Sequence, residues 1–145
     1  MQTFLPNKSA ILSAKILDPK RLGKQRVEAF QILNILHNNK KAAWSHHPAV
    51  LQWMGHENAL AYYMNCMIKE WIRRGYNNTM RLEKVNYPIK KPAWICETLV
   101  RSHQSMLYQK DPVYYKCFKN VEKVGYFWPY RWVNGKITKT LTIVK

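Results

Sequence analysis

The sequence predicts a mainly α-helical fold, a single compact domain of about four to five helices closed by a C-terminal β-hairpin. Three observations carry this expectation. Apolar residues recur at helical spacing over residues 17–36 and 48–74. The pair Asp-Pro, with Asp as cap and Pro at the first helical position, occurs at Asp18-Pro19 and again at Asp111-Pro112. Asn134-Gly135 lies between alternating runs rich in Val, Ile and Thr, the strongest short hairpin signal. At 145 residues the chain is long enough to bury a core without disulfides or metal.

Taken in order, Ser9 is expected to cap a short helix to about residue 17, and Asp18-Pro19 to open a second running to about residue 36. On that helix Leu22, Ala29, Phe30, Leu33 and Leu36 share an arc expected to face the core. Arg21, Gln25 and Glu28 follow at i, i+4 and i+7 along the border of the arc, beside Ile32. Glu28 is thus placed neither on the wet face nor at the centre of the core. A longer third helix is expected from Pro48 to just before Gly75, with Arg73 and Arg74 in its last turn, where the helix dipole favours cations. Trp53, Leu60, Met64, Met67, Ile68 and Trp71 form its core stripe. Glu57 falls in the same stripe, either at the helix start or as a buried carboxylate. Residues 77–91 read as a polar connection. A fourth helix is expected over about 93–109, carrying Arg101 and His103, and a short one after Asp111-Pro112, bearing Tyr114 and Tyr115. The expected division is a helical domain over 1–130 and a hairpin extension over 131–145.

Composition narrows the partner. Twenty-four Lys and Arg against eight Asp and Glu give a formal charge of +16, and 13% of residues are aromatic. That combination favours nucleic acid over a membrane surface, although a basic structural or packaging protein would share it. Cys66, Cys96 and Cys117 form no CxxC pair and are odd in number, which argues for free thiols in a reducing compartment. His46-His47 has no second ligand pair at a recognisable spacing, so no metal is expected. The start MQTFLPNKSAIL lacks a signal-peptide pattern, and no run approaches ~18 uninterrupted apolar residues. A soluble intracellular protein, cytoplasmic or nuclear, is therefore expected. No Gly-rich phosphate loop, GxSxG, HExxH or closely spaced carboxylate pair supports a kinase, hydrolase or metalloprotease reading.

What remains is a basic helix with one carboxylate on its border. Lys20, Arg21, Lys24, Arg26, Arg73, Arg74, Lys90, Lys91, Arg101, His103 and Lys116 are candidates for phosphate contacts. On spacing alone, the favoured reading of Glu28 is an i,i+4 partner of Lys24, contributing a few tenths of a kcal/mol.

The stretches MQTFLP, LDPKRLGKQRVEAFQIL, HPAVLQWMGHE, EWIRRGY, RSHQSMLYQKDPVYY and FWP occur in that order along the chain. Together they resemble the pyrimidine-dimer DNA glycosylase family, the phage endonuclease V type and its larger bacterial and viral branch, with the closer likeness to that branch. The hairpin after Trp132 is not part of the pattern. The resemblance implies a glycosylase with AP-lyase activity on UV-induced pyrimidine dimers, in which the α-amine of the chain attacks the sugar C1′ and an imine precedes β-elimination. It implies that the essential carboxylate is Glu28, that Arg21 contacts DNA, and that Tyr114 and Tyr115 match an aromatic element near the lesion. Val27 stands where the phage branch has Arg; Arg26 lies one residue earlier. An α-amine, with a pKa near ~7.7–8.0 against ~10.4 for lysine, is the better nucleophile near neutrality. Gln2 is too large a second residue for efficient removal of the initiator Met, so Met1 is expected to supply the amine. The expected partner is damaged duplex DNA, bound by a monomer without cofactor. A non-catalytic DNA-binding or packaging protein on the same scaffold, or a glycosylase for another modified base, stays open.

Overall fold

A computed structural model describes residues 1–38 and 44–140. Among these residues the fold is mainly α: α1 (Ala10–Ile16), α2 (Pro19–Asn38), α3 (Pro48–Leu51), α4 (Glu57–Arg73) and α5 (Glu97–Lys110), then a 3-10 turn (Lys116–Phe118) and the strands β1 (Tyr130–Val133) and β2 (Lys136–Lys139). Both first-turn caps form as expected. The Ser9 side chain accepts from the Leu12 N–H, and Asp18 Oδ2 accepts from the Arg21 N–H at 3.3 Å. At Asn134 (φ 50°) and Gly135 (φ 74°) the backbone is left-handed, as a two-residue primed turn requires, and the antiparallel register runs from Tyr130↔Lys139 to Val133↔Lys136.

The core lies mainly between α2 and α4, where Leu22, Ile32, Leu60, Met64, Met67 and Ile68 are fully buried with Trp53. A close approach at Gly23 lets the two helices meet. A Cβ added there would lie 2.9 Å from Cζ3 of the Trp71 ring, so any side chain would displace the indole. On that indole the Arg26 guanidinium sits 4.3 Å from the ring centroid.

Four expectations are corrected. Phe30, assigned to the core arc, is 50% exposed, while Gln25, Ile32 and Ile35 are buried. The N-terminal segment lies against the Gln25 side of α2 and turns that side inward. The long third helix is broken. After α3 the chain turns through Gly55, at φ 81°, and restarts at Glu57, whose carboxylate accepts from the Gly55 N–H at 3.2 Å. Glu57 is therefore a helix-start residue. α5 begins at Glu97 rather than near residue 93, because the preceding residues make turn bonds, Ile95 N–H to the Pro92 carbonyl and Cys96 N–H to that of Trp94. Asp111 caps a turn by accepting from the Tyr114 N–H, and only the 3-10 turn follows where a short helix was expected.

The hairpin leans on the rest of the molecule through Tyr130, which packs against the core, and through a stack of His46 on Trp132, with centroids 3.7 Å apart and planes 4° from parallel. Among the described residues no helix is long and apolar enough to cross a membrane.

Candidate active site

Residues 1–6 form an extended segment that belongs to no sheet, yet Gln2, Thr3, Phe4, Leu5 and Pro6 are buried. Buried backbone N–H and C=O groups demand partners. Here side chains supply them. Gln2 N–H points to Glu28 Oε2 at 3.4 Å, Thr3 N–H donates to Gln2 Oε1 at 2.8 Å, Phe4 N–H to Gln25 Oε1 at 2.9 Å and Leu5 N–H to His103 Nδ1 at 2.9 Å. The Gln2 carbonyl accepts from Gln25 Nε2 at 3.0 Å and the Pro6 carbonyl from Gln104 Nε2 at 2.8 Å. The Tyr63 hydroxyl lies 2.8 Å from the Phe4 carbonyl and 2.6 Å from Gln25 Oε1. Thr3 Oγ1 receives both Gln52 Nε2 and Trp53 Nε1, each at 3.0 Å.

Gln25 is the hinge of this arrangement. Its Nε2 also donates to Glu28 Oε2 at 3.0 Å, one helical turn further along α2. One carboxamide thus fixes the register of the N-terminal segment and the position of the carboxylate together. Burial pushes the Tyr63 hydroxyl well above its usual pKa, and the negative charge of Glu28 adds to the effect, so Tyr63 stays a neutral donor.

Glu28 is half-buried, as its border position predicts, and with half-buried Met1 it lines two adjoining depressions. One, of about 380 Å³, also carries Lys20, Arg21, Lys24, Lys110, Tyr126 and Trp128. The other, of about 440 Å³, carries Gln31, Asn34, Ile35 and Trp44. His47 lies near enough for its pKa to be lowered, first by burial and then by the Met1 ammonium. Its Nδ1 accepts from the Ala49 N–H at 3.0 Å and its ring stands edge-on to Trp128, centroids 5.7 Å apart.

Of the residues expected at a site, Met1, Lys20, Arg21, Lys24, Gln25 and Glu28 come together here. The others are placed elsewhere or otherwise engaged. Arg26 donates to Asn78 Oδ1 at 2.7 Å. Arg73 and Arg74 both hold buried Glu70, whose carboxyl falls to about 2 because of the Arg73 hydrogen bond above all. Arg74 further donates to the Ala14 and Lys15 carbonyls, each at 3.1 Å, so it closes the end of α1 instead of facing a phosphate. Lys90 and Lys91 line a separate depression with His56 and Trp94, while Arg101 is exposed on α5 and Lys116 on the 3-10 turn.

Two candidates are corrected outright. His103 is 1% exposed, and burial drives its pKa down to about 3, leaving a neutral ring that accepts from Leu5. Tyr115 is buried too, hydrogen-bonded to Asp18 through both the Asp18 N–H and carboxylate. Burial alone would raise the Asp18 pKa, but the hydrogen bonds from Tyr115 and Arg21 outweigh it and hold the carboxyl below its ordinary value. Tyr114 is exposed, with its hydroxyl 3.4 Å from the Leu17 carbonyl. Lys110, Tyr126 and His47 are members that sequence reasoning missed. No local pattern marks them, since they arrive from α5, from the segment before β1 and from the turn before α3. Among the described residues no group of three or more His, Cys, Asp or Glu gathers to hold a metal.

A polar carboxylate beside a chain terminus, ringed by cations and aromatic rings on a helical scaffold, suits an enzyme acting on a polyanion. The family model described as pyrimidine dimer DNA glycosylase matches residues 1–84, and the chain belongs to that family. DNA is accordingly its substrate class and base excision its class of reaction. The matched residues include Met1, Gln25, Glu28 and Tyr63, whereas α5, His103 and the hairpin lie beyond them. No curated protein and no solved structure matches the chain.

Proposed function

We propose that the protein excises UV-induced pyrimidine dimers from duplex DNA and nicks the strand it has opened, with the Met1 α-amine as nucleophile and Glu28 as acid–base group. The observation that carries this reading is the hydrogen-bonded union of residues 1–6 with Glu28 through Gln25.

In the neutral amine, the nitrogen lone pair attacks C1′ of the damaged nucleotide. The C1′–N bond to the base breaks, and its electron pair leaves with the base, which takes up a proton. The nitrogen, now a secondary ammonium, gives a proton to Glu28; the lone pair so freed opens the C1′–O4′ bond, O4′ is protonated, and the nitrogen–carbon bond becomes an iminium. Glu28 then passes that proton to O4′ and afterwards removes one from C2′. The C2′–H electrons form a double bond to C3′ as the 3′-phosphate departs, and water hydrolyses the imine to free the amine. Lys20, Arg21 and Lys24 hold phosphates around the reacting sugar. We place the protein nearer the bacterial and viral branch than the phage type, and read it as an intracellular monomer that needs no cofactor. Tyr114 then meets DNA beside the lesion, and residues 131–145 are an addition to a scaffold spanning 1–130.

Borohydride reduction during incubation with abasic duplex, followed by peptide mass mapping, tests this directly. An adduct on Met1 is expected; one on a lysine, or no adduct at all, refutes the assignment. A non-catalytic DNA-binding protein would give salt-sensitive binding with no incision of UV-irradiated or abasic duplex.

A further inference from the structure

A further cationic depression, of about 490 Å³, is lined by neither Met1 nor Glu28. Two stretches of chain far apart in sequence build it. Lys90 and Lys91 come from a connection bracketed by Pro88 and Pro92 and seated by buried Trp94, whose ring stands edge-on to Trp53 with centroids 4.8 Å apart. Lys139 comes from β2, opposite Tyr130, and the Thr140 N–H donates to the Pro129 carbonyl at 2.9 Å, closing the base of the hairpin where it borders the depression. All eight Asp and Glu side chains of the protein are at described positions, since residues 39–43 and 141–145 contain neither. None lines this depression, and none forms an ion pair with Lys90, Lys91 or Lys139. Three like charges around one hollow repel one another until an anion joins them.

The anion that fits is the backbone of DNA, the substrate class of the family. Lysines are point charges on flexible stems, which suits phosphates spaced along a strand better than a single carboxylate held in a fork. Position supports the same partner. Tyr126 and Trp128 line the depression beside Met1 and Glu28, whereas Phe127, Pro129 and Tyr130 line this one, so one short strip of chain divides the two. An extended chain with side chains on both faces is about 10 Å thick, which is about three phosphate spacings along one DNA strand. A strand leaving the catalytic depression therefore has a short step to the second. We infer that the depression of Lys90, Lys91 and Lys139 grips the duplex backbone several phosphates away from the reacting nucleotide, and that the hairpin, which lies beyond the residues the family model matches, is one jaw of that grip. The grip needs duplex DNA and no step of the amine chemistry, so it stands or falls apart from the function proposed above.

The test uses a duplex of about three helical turns, about 30 base pairs, carrying one tetrahydrofuran residue, an abasic analogue with no leaving group at C1′ that stays intact when bound. Lys90→Ala/Lys91→Ala/Lys139→Ala is compared with the unaltered protein and with Lys15→Ala/Lys69→Ala/Lys119→Ala, which removes the same charge from exposed lysines that line neither depression. Each lysine that releases a counterion contributes about 0.9 to the slope of log affinity against log salt. The first variant is expected to lower that slope by about 2 to 3 and to weaken binding at about 0.1 M salt by about 10-fold or more, against less than about 3-fold for the second. In hydroxyl-radical footprinting it should lose the protected backbone farther from the tetrahydrofuran and keep the nearer protection. Thermal melting should not fall, since the three side chains are exposed. Equal weakening by the two triple variants, an unchanged footprint, or no binding by the unaltered protein overturns the grip. A protein that binds with the expected salt slope and incises nothing would sink the catalytic reading and leave the grip standing.

Discussion

Two extended segments, residues 1–6 and the hairpin from Tyr130 to Lys139, are held in opposite ways. The first is buried and borrows its hydrogen bonds from side chains on α2, α4 and α5. The second is largely exposed, bonds to itself strand to strand, and touches the helical body at Tyr130 and through the stack of His46 on Trp132. A strand pair with a matched turn needs only its own residues. A lone buried strand needs a dedicated side chain at nearly every peptide group, and each one restricts where the terminus can sit. The cost of that arrangement is many polar groups withdrawn from water; its product is a Gln2 N–H held 3.4 Å from Glu28 Oε2, with Met1 lining the same depressions as that carboxylate.

The contrast can be broken most severely at the carboxylate. Glu28→Gln should lower incision of dimer-containing and abasic duplex by about 10²- to 10⁴-fold, the usual range for a lost acid–base group, with duplex binding in gel-shift titrations little changed. Next comes Gln25→Ala. It leaves the Phe4 N–H, the Gln2 carbonyl and one side of Glu28 without partners, and should cost about 2–4 kcal/mol in urea unfolding. The same variant should reduce borohydride trapping more than binding, because the amine is no longer held in register.

Acid should loosen the first segment before the second. His103 is neutral in the fold, its pKa lowered to about 3 from 6.5 by burial, so the unfolded chain takes up the proton first. Its stabilising contribution is complete above pH 6.5 and is lost as pH falls toward 3, with a slope of up to about 1.4 kcal/mol per pH unit. Denaturant unfolding at pH 7 and pH 4.5 measures the effect, and His103→Gln, which keeps an acceptor for Leu5, should flatten that part of the profile. The smallest change is expected at the hairpin. Trp132→Ala removes one exposed stack and should cost about 0.5–1 kcal/mol with no effect on incision of abasic duplex.

The same contrast explains which parts could be read from the sequence. Ser9, Asp18-Pro19 and Asn134-Gly135 act within three or four residues, so their elements formed where expected. The border position of Glu28 was also legible, being set by the period of one helix. Phe30 was misplaced because the buried arc of α2 depends on a segment that returns across Gln25 from over twenty residues away. The stripe from Trp53 to Trp71 looked like one helix because both pieces of the chain lean on the same core, and only Gly55 marks the break. His103 and Tyr115 carry groups suited to DNA contact, and nothing near them in sequence shows that their partners are Leu5 and Asp18, 98 and 97 residues distant. Trp44 stood outside every helical pattern, so its place beside Glu28 emerged only from the fold.

The burial of Gln2 also governs how the protein must be handled at the bench. With Gln2 buried and Met1 lodged between the two depressions, residues fused ahead of Met1 emerge directly among Lys24, Trp128 and Trp44. On the proposed mechanism, an affinity tag at that end turns the nucleophilic amine into an amide and crowds the groove, and is expected to block incision. A tag following Lys145 leaves the amine free, and a removable leader that regenerates Met1 would serve as an on-switch for activity.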